Sequence, residues 1–238
     1  MANCLKTQLK GVVNNNELLP LNAIRLSFKQ NQFNNTKSQG FTVRFSGDGP
    51  VMATLVGDGE LQTTLGQPTG QKTLPLTSGV PMYVSNNDCY VDITPYNAIW
   101  AVELGGSGDG EFRQKGIVNV ESLKYLPITR LELSETNIPL KLEYLTQNEL
   151  EYMMLKYGGS FTGDLSVLEG KTIGVFYITD CQTITGSLDS FLNVTKLSNG
   201  ALDVRYTPQI YKKRSTVTAL QNAGWELLIT PEEIDENA

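Results

Sequence analysis

Met153-Met154-Leu155 … Phe161-Thr162-Gly163-Asp164-Leu165 is followed 23 residues later by Phe176-Tyr177-Ile178 … Ile184-Thr185-Gly186-Ser187-Leu188. Met153, Leu155, Phe161, Gly163 and Leu165 align with Phe176, Ile178, Ile184, Gly186 and Leu188 at one common offset. One unit earlier, Leu131-Glu132-Leu133 and Ile138 fit after a one-residue deletion, and one unit later Leu202-Asp203-Val204 and Ile210 fit at an offset of 26. In each apolar-x-apolar triplet the flanking side chains point to one side of a strand and the middle one to the other. Five matching offsets over two units argue for a repeat rather than two coincidental strands.

These spacings fall in the range of leucine-rich repeats, roughly 20–29 residues with the core L-x-x-L-x-L-x-x-N/C-x-L. The position three after the second apolar residue bonds the exposed backbone of a neighbouring turn in that pattern. Here it is Thr136, Gly158, Cys181 and Thr207. Cys181 therefore reads as a buried repeat-position cysteine rather than a nucleophile. A short stack needs both ends covered. Ser215-Thr216 is expected to cap a helix through Ala219-Leu220, Gly224 to end it, and residues 225–229 to form a closing strand. The other end is expected to abut the first half of the chain near residues 118–126. Residues 231–238 are acidic and read as mobile.

Upstream, the periodicity changes from a long repeat to simple alternation. Candidate strands are 23–28, 41–45, 51–56, 72–76, 81–84, 89–93 and 99–104. In Phe41-Thr42-Val43-Arg44-Phe45 the apolar side chains share one face, as one buried side of an antiparallel sheet requires. Turn residues separate the strands, including Gly47-Asp48-Gly49, Gly57-Asp58-Gly59 and residues 105–110. About seven short strands with such punctuation read as a β-sandwich. Each Gly-Asp-Gly offers one carboxylate, too few for a calcium loop, so it reads as a turn. The polar run 31–38 reads as a loop. The expected fold is thus mainly β: an antiparallel β-sandwich over residues 1–118, then a short leucine-rich-repeat solenoid with a helix-strand cap over 119–238.

Composition narrows function. Among 238 residues there is no histidine, so Ser-His-Asp and Cys-His arrangements are impossible within the chain. Cys4, Cys89 and Cys181 match no zinc spacing and read as buried thiols. The carboxylates are plentiful, yet no pair stands in a setting that marks a glycosidase. No catalytic, cofactor-binding or metal-binding residue is expected. A net charge of −6 argues against nucleic acid. The one basic run, Lys212-Lys213-Arg214, reads as a solvated edge. No apolar run is long enough for a membrane helix. Residues 1–6 lead into no apolar stretch, so no secretory signal is read there. Without a secretory route, Asn34-Asn35-Thr36 and Asn193-Val194-Thr195 read as chance matches to the glycosylation pattern.

The second half resembles the leucine-rich repeats of Bacteroidetes proteins and their phages. The matching pieces are Thr136-Asn137-Ile138, Phe161-Thr162-Gly163-Asp164-Leu165, Ile184-Thr185-Gly186-Ser187-Leu188 and Ala219-Leu220 … Gly224-Trp225. Leu9-Lys10-Gly11 and Asn14-Asn15-Asn16 resemble the start of virion proteins of crAss-like phages. The resemblance implies a capsid-decorating, head-fibre or tail component, made in the host cytoplasm and displayed on the virion. Its partners would be capsid, portal or tail subunits or a host surface receptor, and the chain a homo-oligomer or part of a large assembly. The competing expectation is a bacterial cell-surface adhesin or carbohydrate-binding module. Outward positions of the repeat strands include Glu132, Tyr152, Met154, Tyr177, Asp203 and Arg205, with Tyr157 and Tyr206 just beyond strand ends. Tyrosine and arginine are enriched at binding hot spots, so Tyr152, Met154, Tyr157, Tyr177, Arg205 and Tyr206 are the candidate partner contacts. The alternative is that they pack along the sheet as cross-strand neighbours.

Overall fold

A computed structural model of the chain describes residues 23–28, 38–47, 49–85, 89–104, 117–119, 121–134, 139–157 and 160–236. The expectations placed on Leu9-Lys10-Gly11, Asn14-Asn15-Asn16, Asn34-Asn35-Thr36, Thr136-Asn137-Ile138, the 105–110 turn and Gly158 lie outside these residues.

The protein is mainly β. Its first half carries β1 (Ile24–Phe28), β2 (Ser38–Phe45), β3 (Met52–Gly57), β4 (Leu61–Gln62), β5 (Thr73–Pro75), β6 (Met82–Ser85), β7 (Cys89–Thr94), β8 (Ile99–Leu104) and β9 (Ile117–Asn119). One antiparallel sheet runs in the order β5-β3-β7-β1-β9, and a second antiparallel run goes β4-β6-β2-β8. Alternation explains the burial. Phe41 and Val43 of β2 are buried while the alternate residues Thr42 and Arg44 are half-exposed. Ala53, Leu55, Val91 and Ile93 of the other sheet join them in one apolar cluster. Phe45 packs against the same cluster but is only partly buried, at the point where the pairing of β2 with β8 shifts. The Gly57-Asp58-Gly59 turn has positive φ at both glycines, as a tight turn demands.

The second half adds β10 (Arg130–Ser134), β11 (Glu149–Lys156), β12 (Gly163–Asp164), β13 (Thr172–Tyr177), β14 (Ile184–Ser187), β15 (Thr195–Asp203), β16 (Ile210–Tyr211) and β17 (Glu226–Leu228). Strands β8, β10, β11, β13, β15 and β17 pair in parallel, each beside the next. The repeat register holds residue by residue: Leu131 lies opposite Met153, Met153 opposite Phe176, and Phe176 opposite Leu202. Strand β8 is antiparallel to β2 on one side and parallel to β10 on the other, so one sheet crosses the 118/119 boundary. Short 3-10 turns at Leu142–Tyr144, Leu165–Leu168 and Leu188–Asn193 and the small parallel sheet β12-β14-β16 lie between the ladder strands in sequence.

The Thr-Gly-Asp/Ser-Leu motif now has a physical reading. Asp164 and Ser187 are N-caps whose side chains accept from the Ser166 and Asp189 amides at 2.9 and 3.1 Å. Leu165 and Leu188 enter the core. Gly186, at φ +109, sits where a Cβ would lie 2.8 Å from Asp164 Oδ1 and 2.9 Å from the Leu165 nitrogen, so the glycine of one unit packs on the cap of the unit before.

Three expectations need correction. The helix α1 spans Arg214–Asn222 with Lys213 at its N-cap and no side-chain capping bond. Ser215 and Thr216 lie inside its first turn, and the Thr216 hydroxyl donates to Asp189 instead. Gly224 does follow it with φ +80, and β17 does close the ladder beside β15. Residues 231–236 are pinned: the Asp235 amide donates to the Lys212 carbonyl at 2.8 Å, and Tyr211 Oη donates to the Asp235 carboxylate at 2.9 Å. Within the basic run Arg214 is exposed and Lys213 intermediate, but Lys212 is no part of a solvated edge. Lys212 is 1% exposed, its Nζ donating to the Thr207 and Ile210 carbonyls at 2.7 and 3.2 Å and lying 2.9 Å from Glu233 Oε2. Burial draws its ammonium below the ordinary lysine range and Glu233 pulls it back up. Lys213 and Arg214 pair with Asp189 and Glu236.

Candidate functional site

The parallel ladder presents one side chain in two away from the core, and neighbouring units bring equivalent positions side by side, about 5 Å apart. Met153, Leu155, Phe176 and Leu202 point inward and are fully buried. The residues between them form rows on the opposite face. One row runs Ala101, Arg130, Tyr152, Val175, Ala201, Glu226, and the next Glu103, Glu132, Met154, Tyr177, Asp203, Leu228.

The centre of this face is aromatic. The Tyr152 and Tyr177 rings meet edge to face at 6.3 Å, and Tyr152 Oη lies 3.8 Å from Met154 Sδ. Arg130 lies over the Tyr152 ring at 4.2 Å, and Lys156 over Tyr177 at 5.4 Å. Both tyrosines and Met154 remain half-exposed. Burial raises both phenols above the ordinary tyrosine value, helped by Glu132 at Tyr152 and by Glu226 and Asp203 at Tyr177.

Charge flanks the aromatic centre on both sides. Toward the first half, Glu103 and Glu132 face one another in register, with Arg44 at 2.9 Å and Arg130 Nε at 3.7 Å from Glu103 Oε1. Burial, then repulsion from Glu103, raises the Glu132 carboxyl. Toward the other end, Arg205 grips Asp203 with two bonds of 2.9 and 2.7 Å. Asp203 was expected to face outward, yet it is 1% exposed because Arg205 covers it. Burial pushes its carboxyl up, but the bonds from Arg205 outweigh this and hold it below the ordinary aspartate value.

Tyr157 and Tyr206 stand at the ladder's rim, 54% and 55% exposed. With Asp180 between them they occupy equivalent positions of three successive units, and all three have left-handed backbone, φ 54 to 57°. Such backbone is uncommon for bulky residues and costs on the order of 1–2 kcal/mol each. Regular bonds hold it: the amides of Tyr157, Asp180 and Tyr206 donate to the next stretch of chain, at Thr179 O, Arg205 O and Thr230 Oγ1. Both phenols act on the Arg205 guanidinium, after Asp203, to raise it.

Of the six candidates, Tyr152, Met154 and Tyr177 form one touching cluster, and Arg205 with Tyr157 and Tyr206 lies at the rim of the same ladder. Arg130 and Lys156, which lie over the tyrosine rings, were missed. Their signal was available, since Arg130 aligns with Tyr152 in the repeat. Arg44 and Glu103 carried none, because only the pairing of β2 with β8 brings them to this face. Compared with known protein families, with curated proteins and with solved structures, the chain matches none.

Proposed function

We propose that the chain is a non-enzymatic contact protein, a β-sandwich joined to a short leucine-rich-repeat solenoid, that binds another protein through the outward face of its parallel ladder. The observation that carries this reading is the half-exposed Tyr152–Met154–Tyr177 cluster, flanked by the Arg44–Glu103–Arg130 and Asp203–Arg205 charge groups. Amphipathic rings in a rim of paired charge suit protein contact, where tyrosine and arginine dominate affinity. Support for the repeat type comes from Cys181, whose buried thiol donates to the Leu155 carbonyl of the preceding unit at 3.1 Å, and from Thr207, which bonds the Val204 carbonyl at 2.6 Å. These are the positions where leucine-rich repeats place an inward-bonding side chain. The two antiparallel sheets sharing one apolar cluster support the sandwich.

The setting we assign is a phage particle, as the resemblance of the repeat motifs implies, with capsid, portal or tail subunits or a host receptor as partner. Peptide mass spectrometry of purified particles should find the chain in stoichiometric amount. Recovery from bacterial outer membranes and absence from particles would replace this setting with a surface adhesin. Tyr152→Ser with Tyr177→Ser tests the face itself. The variant should keep its melting temperature within a few degrees and fail to join particles. Early unfolding, with the residual folded protein assembling normally, would make the tyrosines structural and sink the assignment.

A further inference from the structure

Among the described residues, the last unit of the parallel stack is covered on one side only. Strand β17 ends its sheet with β15 as the neighbour on one side and no strand of the described residues on the other. In the unit before, Leu202, Val204 and Ile210 are 0%, 0% and 3% exposed. Their counterparts in the last unit, Leu227, Ile229 and Ile234, are only partly buried, and Leu228 is 38% exposed. Backbone geometry agrees. The Leu228 carbonyl accepts from the Val204 amide at 2.9 Å, so it points toward β15. Polar groups of successive strand residues point to opposite sides, which turns those of Leu227 and Ile229 toward the open edge. Such an edge is a template for another strand.

Charge selects the occupant. Residues 225–236 carry Glu226, Glu232, Glu233, Asp235 and Glu236 and no lysine or arginine. Lys212 and Arg214 of the preceding unit offset two of the five. Two such ends meeting would oppose like charges, which disfavours a symmetric end-to-end pair. A complementary segment exists in the sequence. Leu5-Lys6-Thr7-Gln8-Leu9-Lys10-Gly11-Val12-Val13 has two lysines and no acid. On a period of two, Leu5, Leu9 and Val13 fall on one side and Lys6 and Lys10 on the other.

We propose that residues 5–13 of a second copy add to β17 as the next strand, joining copies head to tail. The leucines would continue the apolar layer of Leu227 and Ile229, and the lysines would meet the acidic unit. Strand addition supplies main-chain bonds while the side chains set the fit. A head-to-tail contact is heterologous, so it propagates into a ring or filament rather than stopping at a dimer. This join does not depend on what the outward face binds.

Sedimentation velocity of the full chain should show mass rising with protein concentration and falling with salt. A chain lacking residues 1–13, and the variant Lys6→Glu with Lys10→Glu, should stay monomeric. A labelled peptide of residues 5–13 should bind the shortened chain in fluorescence anisotropy. The charge-reversed peptide should bind more than about tenfold more weakly, as should the original peptide to Glu226→Lys with Glu232→Lys. Identical sedimentation of full and shortened chains would overturn the proposal. So would association or peptide binding that ignores the Glu226 and Glu232 changes, which would put the segment on another surface. A monomeric full chain whose shortened form binds the peptide would also overturn it, because the segment would then be covering its own chain.

Discussion

The two halves of this molecule build sheets from similar apolar residues but place information differently along the chain. In the first half, β7 pairs with β1 and β3, and β2 with β6 and β8, so neighbours in space come from scattered positions in sequence. In the second half, each strand of the parallel ladder pairs with the one a unit away. Equivalent residues there meet the same surroundings and repeat: Met153, Phe176 and Leu202 are all fully buried in register. The antiparallel half repeats only its alternation. Nearest-neighbour stacking makes a stretch of chain legible, and long-range pairing leaves only its faces legible.

The harshest way to break this contrast is to cut it. Residues 119–238 expressed alone lose β8, and with it the parallel partner of β10 that helps bury Leu131 and Leu133. We expect no cooperative heat transition by circular dichroism. A soluble, monomeric fragment with a sharp transition would mean that the shared sheet joins two independent folding units.

A smaller effect is expected from one side chain of the stack. Phe176 packs on Phe191 at 5.7 Å, and Phe191 on Trp225 at 5.9 Å, so one aromatic column links the unit of β13 to the end of the stack. Phe176→Ala should cost about 3–5 kcal/mol in urea unfolding. Val91→Ala, fully buried in the antiparallel half, removes less volume and should cost about 1–3 kcal/mol. Equal losses would remove the column's special role.

Glycines sharpen the same comparison at lower cost. Gly66 in the first half has φ +73 and open space around it, so Gly66→Ala should cost about 1 kcal/mol from backbone strain alone. Gly186→Ala adds a collision with Asp164 and the Leu165 nitrogen and should cost about 3 kcal/mol. If both lose the same amount in urea titration, unit-on-unit packing through Gly186 is not tight.

Acid gives the mildest test. The Ser166 backbone amide lowers Asp164, and bonds from Thr216 and Lys213 lower Asp189. A carboxyl lowered on folding adds stability that is fully present above its unfolded pKa, near 3.8 here, and is lost as pH falls through the folded value. Asp164→Asn with Asp189→Asn should therefore shrink the fall in stability between neutral pH and about pH 3. An unchanged fall would assign the acid sensitivity elsewhere.

The Met153–Phe176 offset predicted strand register because parallel units copy their environment. The sequence does not mark β4 or β9, since Leu61-Gln62 is too short to alternate and Ile117-Val118-Asn119 does not alternate. Lys212 reads as solvated because a run of three bases looks like a surface, and only the folded chain brings the Thr207 and Ile210 carbonyls and Glu233 around it. Residues 231–238 read as mobile because their acids mask Ile234, which packs against the core cluster just past the closing strand. Of the candidate face, the tyrosines followed from alternation. The burial of Asp203 did not, because it depends on Arg205 folding back two residues along its own strand end.

Lys212 has a consequence for proteolysis. Lys212-Lys213-Arg214 is the densest tryptic sequence in the chain, yet its first cleavable bond follows a side chain locked beneath Thr207, Ile210 and Glu233, with its carbonyl held by the Asp235 amide. A protease needs an extended, unpaired stretch of chain, so it can cut there only while residues 231–236 are peeled away. With trypsin in excess, so that cutting outpaces reclosing, nicking after Lys212 works as a clock for that opening, and at low trypsin it reports how often the tail stands open.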